Sequence, residues 1–133
     1  MTRQQFMFTA ALAATGGALE AQNKRVFELR TYYCLPGRLP ALLARFRNHT
    51  VKLFEKHGMT NVGYWVPQDS PKSDNTLIYL LAHSSREAAA KSWDAFRQDQ
   101  DWIKVRTASE ADGKIVEKVE SIYMDATDFS AMK

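Results

Sequence analysis

The charged residues best suited to chemistry lie in a strand-like segment near the start of the chain. Glu28 and Arg30 are separated by one residue within residues 26–33. Residues at this spacing leave the same face of a strand, so the two side chains can act together. One interpretation is that Arg30 holds an anionic group of a ligand in a cavity. The other is an ion pair inside a sheet or a subunit interface, and the sequence leaves both open.

Three histidines raise the question of a metal site. His49 and His57 are eight residues apart, which places their Cα atoms about 12 Å apart along one helix, too far to share an ion. The sequence has no His-x-x-x-His pair and no Cys/His cluster, so we expect neither a metal nor a cofactor. His83 stands at the end of a predicted strand, just before a helix cap, and is a candidate for a binding site.

Aromatic residues could line a pocket between a sheet and its helices, although at strand or helix spacing they could equally form the core. The candidate ligand-binding residues are Glu28, Arg30, Tyr32, Trp65, Tyr79, His83 and Trp93. No set of residues dictates a catalytic mechanism. Cys34 is the only cysteine, so an intrachain disulfide is impossible, and we expect the thiol to be buried near the end of a strand.

Length and composition favour one globular domain. The chain has 133 residues, of which 45% are hydrophobic and 25% charged, as in ordinary soluble domains. Its net charge is +3, and the lysines and arginines are scattered rather than clustered. Nucleic acid is therefore not an expected partner.

The N-terminus has the composition of a signal peptide. Arg3 precedes the apolar residues 6–14, which are followed by small residues up to Ala21. This apolar stretch is shorter than the roughly 20 residues that a membrane-spanning helix needs. We therefore predict a signal peptide at 1–21, a mature domain at 22–133, and a periplasmic or secreted protein that is not membrane-bound after processing. The head resembles a twin-arginine signal except at Gln4, so the export route stays open.

The remaining pattern predicts four strands, two main helices and one further short helix. Strands are expected at residues 26–33, 61–66, 76–82 and 115–123. One helix is expected at residues 39–57 and a second directly after the capping-box motif that begins at Ser84. A short third helix is expected at residues 101–111. The resulting order, β-α-β-β-α-β, predicts an α+β protein of ferredoxin-like type, with an antiparallel sheet and its helices on one face.

The third strand is apolar on both sides, which implies that the sheet face opposite the helices is also covered. A second copy of the chain is the simplest cover, so we predict a homodimer through the sheet face. On this interpretation Glu28, Arg30 and Tyr32 point towards that second copy.

Several short motifs resemble those of the NIPSNAP family. They are Phe-Glu-Leu-Arg-Thr-Tyr at 27–32 followed by Pro-Gly at 36–37, Gly-Tyr-Trp at 63–65, residues 77–82, residues 92–96 and residues 101–102. The resemblance implies a ferredoxin-like monomer that pairs into a dimeric α/β barrel. Relatives with this barrel include cofactor-free monooxygenases and haem-degrading enzymes. The family supplies no catalytic residues to transfer to this chain.

The sequence therefore favours a small exported binding or interaction module with an unidentified ligand. The alternative is a small cofactor-independent enzyme, similar to a monooxygenase, that acts on an aromatic or apolar small molecule. A third, weaker hypothesis is a haem-handling protein.

Overall fold

The computed structural model describes residues 24–133, so the predicted signal peptide lies outside the described residues. The four strands are β1 (Val26–Cys34), β2 (Thr60–Trp65), β3 (Thr76–His83) and β4 (Val116–Asp125). The helices are α1 (Leu39–Arg45), α2 (Val51–Lys56), α3 (Arg86–Gln98) and α4 (Gln100–Ser109), with a 3-10 turn at Lys72–Asp74. All predicted elements are present, with boundaries that shift by one or two residues.

The sheet has the strand order β2-β3-β1-β4, and every neighbouring pair is antiparallel. The core lies between this sheet and the helices, around Tyr79, Phe54 and Leu42, none of which is exposed. The predicted α+β, ferredoxin-like arrangement is confirmed.

The first helical region contains a wide turn that the sequence does not reveal. The segment Phe46–Thr50, between α1 and α2, is π-helical, and the Val51 N–H donates to the Phe46 carbonyl five residues earlier. The buried Thr50 hydroxyl also donates to the carbonyl of Arg45 at 3.3 Å. Because a buried hydroxyl requires a partner, this bond favours the wider turn locally.

Helix α3 begins one residue later than predicted. Ser85, not Ser84, is the N-cap, and its Oγ accepts a hydrogen bond of 2.9 Å from the Ala88 N–H. Ser84 is exposed at the preceding position. Either serine could serve as an N-cap, although only Ser84 has a glutamate three residues later, and the length of β3, which extends to His83, decides between them.

The predicted orientation of β1 is wrong. Arg30 pairs with Tyr79 across the sheet, and Glu28 pairs with Leu81. Directly opposed residues share a face, and both Tyr79 and Leu81 belong to the core beneath the helices. Glu28, Arg30 and Tyr32 therefore point towards the helices and not towards the opposite face.

The opposite face, called here the outer face, is largely apolar. Phe27 lies on it and is buried, while Ile122 and Trp65 are 56% and 54% exposed. The C-terminal segment after β4 lies along part of this face, where Met132 and Phe27 help line an open groove of about 370 Å³. Within residues 24–133, no helix is both long and apolar enough to cross a membrane.

Candidate functional site

The side chain of Glu28 is the centre of a buried polar network between the sheet and α3. Its Oε1 accepts hydrogen bonds from Trp93 Nε1 at 2.8 Å and from His83 Nε2 at 2.9 Å. Its Oε2 accepts from Arg30 Nη1 and from Ser121 Oγ, both at 2.8 Å. Glu28 is 1% exposed, so these four donors replace the water that an ionised carboxylate would otherwise bind.

The charge on Glu28 is stabilised by its donors. Burial by itself would raise the pKa of this carboxyl, but the hydrogen bonds from His83, Trp93, Arg30 and Ser121 lower the pKa to about 2. Because an ionised carboxylate only accepts, His83 carries a proton on Nε2. The second ring nitrogen of His83, Nδ1, is buried and has no partner among the described residues.

Arg30 extends the network away from Glu28. Its guanidinium lies 4.2 Å from the centre of the Trp93 ring, and its Nε donates to the Tyr79 hydroxyl at 3.0 Å. That hydroxyl in turn donates to the Tyr32 hydroxyl, also at 3.0 Å. Burial raises the pKa of Tyr79 well above its ordinary value, so this phenol keeps its proton and passes on one hydrogen bond.

Tyr32 is the last member of this chain of hydrogen bonds. Its oxygen accepts from Tyr79, and within residues 24–133 no acceptor is in place for its own proton. The Tyr32 side chain also lines an open cleft of about 610 Å³ bounded by β1, β4 and α4. The other residues that line the cleft are Arg45, Arg106, Glu110, Lys114, Val116, Glu117, Lys118 and Val119.

Arg45, the last residue of α1, is a site residue that sequence reasoning missed. It is 6% exposed, its Nη1 donates to Ser109 Oγ at 3.2 Å, and its Nε has no partner in the described part of the chain. The guanidinium lies 5.0 Å from the centre of the Trp102 ring. The only feature of the sequence that could have indicated its burial is its position beside Leu42 and Phe46, at the edge of the apolar face of the helix.

The structure brings six of the seven candidate residues together. Glu28, Arg30, Tyr32, Tyr79, His83 and Trp93 belong to one connected network. Trp65 does not, because it lies on the outer face. Its ring rests against Gly63, where a Cβ atom would come within 2.5 Å of the indole. Ser121 was also missed, since a serine in an exposed edge strand carries no distinctive pattern.

His57 and Cys34 have structural roles outside the network. His57 Nε2 lies 2.6 Å from Asp99 Oδ2 and so links the end of α2 to the start of α4. Cys34 is buried, as predicted, and burial raises the pKa of its thiol. Within residues 24–133, no three His, Cys, Asp or Glu side chains are grouped closely enough to hold a metal ion.

Solved structures share this fold. Two NIPSNAP-family proteins from Agrobacterium tumefaciens, one described as having unknown function, superpose with a TM-score of 0.71 each. They are 24% and 21% identical to this chain; the matches cover 83% and 82% of it and 95% and 99% of theirs. SnoaB, a cofactor-independent oxygenase from Streptomyces nogalater, gives a TM-score of 0.55 at 13% identity, with 83% of this chain and 99% of SnoaB covered.

Comparison with curated protein sequences gives no match. The NIPSNAP family profile, in contrast, matches residues 27–131, which include all of the network and all of the cleft. The motifs that carry the resemblance lie in β1 and the turn after it, and in β2, β3, α3 and α4. The chain belongs to the NIPSNAP family.

Proposed function

We propose that this protein is an exported, homodimeric binding module that holds a small molecule in the cleft beside Tyr32. The observation that carries the proposal is the directed chain of hydrogen bonds from Arg30 through Tyr79 to Tyr32. The chain of hydrogen bonds ends at Tyr32, whose hydroxyl proton has no acceptor among residues 24–133, and Tyr32 lines a cleft large enough for a small organic ligand.

The same geometry favours binding over acid–base catalysis. A general base needs a pKa near the working pH and access to the substrate. Glu28 has neither, since its pKa is about 2 and its oxygens are occupied by four donors. His83 is 2% exposed, so its free Nδ1 has no route to a ligand in the cleft.

The alternative function is a small cofactor-independent enzyme. It is favoured by the fold that the chain shares with SnoaB. Consumption of oxygen by the purified protein in the presence of an aromatic substrate, without an added cofactor, would favour this alternative over simple binding.

Native mass spectrometry of protein purified from its own host tests the binding function. We expect a dimer that carries a non-covalent small-molecule adduct. Val119 lines the cleft and is 43% exposed, so Val119→Trp should fill the cleft and remove the adduct. Ala90→Trp, at an exposed position on α3, is the control and should retain it. Absence of an adduct from the parent protein, or its survival in Val119→Trp, contradicts the proposal.

The homodimer is part of the proposal because the outer face exposes large apolar side chains. Ile122, Trp65 and Met124 are 56%, 54% and 37% exposed and lie on this same face. Apolar surface of this kind on one side of a sheet is typical of an interface. A second copy related by a two-fold axis would place the same surface against itself.

A further inference from the structure

We propose that the ligand of the cleft is an organic carboxylate with an apolar or aromatic body. This inference rests on the proposed function, because it names the chemical class that the cleft would hold. It depends on two residues that line the cleft, Arg45 and Tyr32, each of which has an N–H or O–H group without an acceptor among residues 24–133, and on the charges around them.

The first donor is the Arg45 guanidinium. A charge that is 94% buried normally has a carboxylate partner, but no such partner lies within ion-pair distance among residues 24–133. Its protein contacts are the Ser109 hydroxyl and the face of Trp102, and its Nε remains unpaired. An anion in the cleft that Arg45 lines would supply the missing charge.

The second donor is the Tyr32 hydroxyl, which accepts from Tyr79 and still has its own proton to donate. A guanidinium and a hydroxyl on adjoining walls of one cleft suit an oxyanion with two acceptor oxygens. The exposed cations Arg106, Lys114 and Lys118 also line this cleft.

Two further features separate a carboxylate from a phosphate. Glu110 and Glu117 line the same cleft and oppose a second negative charge, so a singly charged group is favoured over a phosphate dianion. Val116, Val119 and the ring of Tyr32 provide apolar walls, which fit a hydrocarbon or aromatic body beside the acid group.

Isothermal titration of the purified protein with three matched probes tests this assignment. The probes are 2-naphthoate, its neutral analogue 2-naphthamide, and 2-naphthyl phosphate. We expect 2-naphthoate to bind at least about tenfold more tightly than either of the others, since about 1.4 kcal/mol from one charge-assisted contact corresponds to that factor.

Arg45→Met should lower the affinity for 2-naphthoate about tenfold and leave the affinity for 2-naphthamide nearly unchanged. Arg47→Met, at an exposed position two residues away, is the matched control and should behave like the parent. If Arg45→Met does not fold, the exposed Arg106→Gln replaces it, with a smaller loss of about threefold expected from a solvated cation.

Three results overturn the carboxylate assignment: equal binding of acid and amide, tighter binding of the phosphate, or no binding of 2-naphthoate. So does a 2-naphthoate affinity that neither arginine substitution changes. In each case, an uncharged or phosphorylated adduct in the native mass spectrum, lost in Val119→Trp, would show that the binding function itself still holds. If 2-naphthoate shows no preferential binding and the native mass spectrum shows no adduct, both proposals are contradicted.

Discussion

Glu28 connects four different parts of the fold through one side chain. Its donors come from its own strand, from β3 through His83, from β4 through Ser121 and from α3 through Trp93. A buried carboxylate with both oxygens paired in this way holds its donors in one arrangement. The network therefore fixes the position of Arg30, and through Arg30 the hydrogen bonds that reach the cleft.

Replacing Glu28 tests the stabilising role of this charge. Glu28→Gln should lower the free energy of unfolding by about 3–5 kcal/mol at pH 7, because the buried Arg30 loses its anionic partner. Urea titration followed by fluorescence measures the effect. Glu117→Gln, at an exposed position, should change stability by less than about 0.5 kcal/mol.

The same variant tests the pH dependence. The folded-state pKa of Glu28 is about 2, below its ordinary value of 4.5. Its contribution is therefore fully present above about pH 4.5 and is lost as the pH falls towards 2. We expect the stability difference between the parent and Glu28→Gln to shrink across this range. A difference that stays constant between pH 5 and pH 2.5 would contradict the assigned role of the charge.

At the scale of single elements, the N-cap of α3 gives a sharp comparison. Ser85→Ala removes the side-chain acceptor of the Ala88 N–H and should cost about 1 kcal/mol. Ser84→Ala removes an exposed serine one residue earlier and should change the melting temperature little. Thermal unfolding of the two variants decides between the observed cap and the cap expected from the sequence. A larger fall in melting temperature for Ser84→Ala than for Ser85→Ala would show that Ser84 is the N-cap.

The elements themselves were predictable because their signals are local. Residues 39–57 show helical spacing, and Gly58 stands directly after the C-cap of α2 with a φ of +82°, as the sequence pattern suggests. The wide turn at Phe46–Thr50 was not predictable, since one extra residue in a turn hardly alters the spacing of apolar side chains.

The face of β1 was also beyond local signals. Phe27 and Leu29 alternate with the charged Glu28 and Arg30, and an apolar set ordinarily faces the core. Here the charged set faces the helices, where Glu28 meets its donors His83, Trp93 and Ser121. These partners lie 55, 65 and 93 residues away in the sequence, so a local pattern cannot reveal them. Six of the seven candidate residues lie in one network, and their common location depends on these long-range contacts.

For the molecule as a whole, the proposed dimer can be tested on the outer face. Ile122→Lys places a charge on an apolar surface, and we expect it to convert a dimer into a monomer at micromolar concentration, measured by sedimentation velocity. Ala90→Lys, on the exposed side of α3, should remain dimeric. A monomeric parent, or an Ile122→Lys protein as dimeric as its parent, would exclude this interface. Arg30 is not part of this test because it lies beneath the helices.

Export and cleavage of the signal peptide are predictions from the sequence alone. Cleavage after Ala21 would make Gln22 the first residue of the mature protein, and Leu19 is the alternative start because Gly-Gly-Ala at 16–18 offers a second exit. Intact-mass measurement of protein recovered from the host distinguishes these starts. A protein that retains Met1 and stays in the cytosol would contradict the export proposal.

The buried network also constrains how this protein can evolve. Replacing Glu28 alone leaves the Arg30 charge without its carboxylate, and replacing Arg30 alone leaves Glu28 without one of its donors. Single substitutions at these positions are therefore disfavoured intermediates, although a joint exchange for apolar residues could be tolerated. We expect homologous sequences either to keep both residues or to lose both, so that the pair is inherited as one unit.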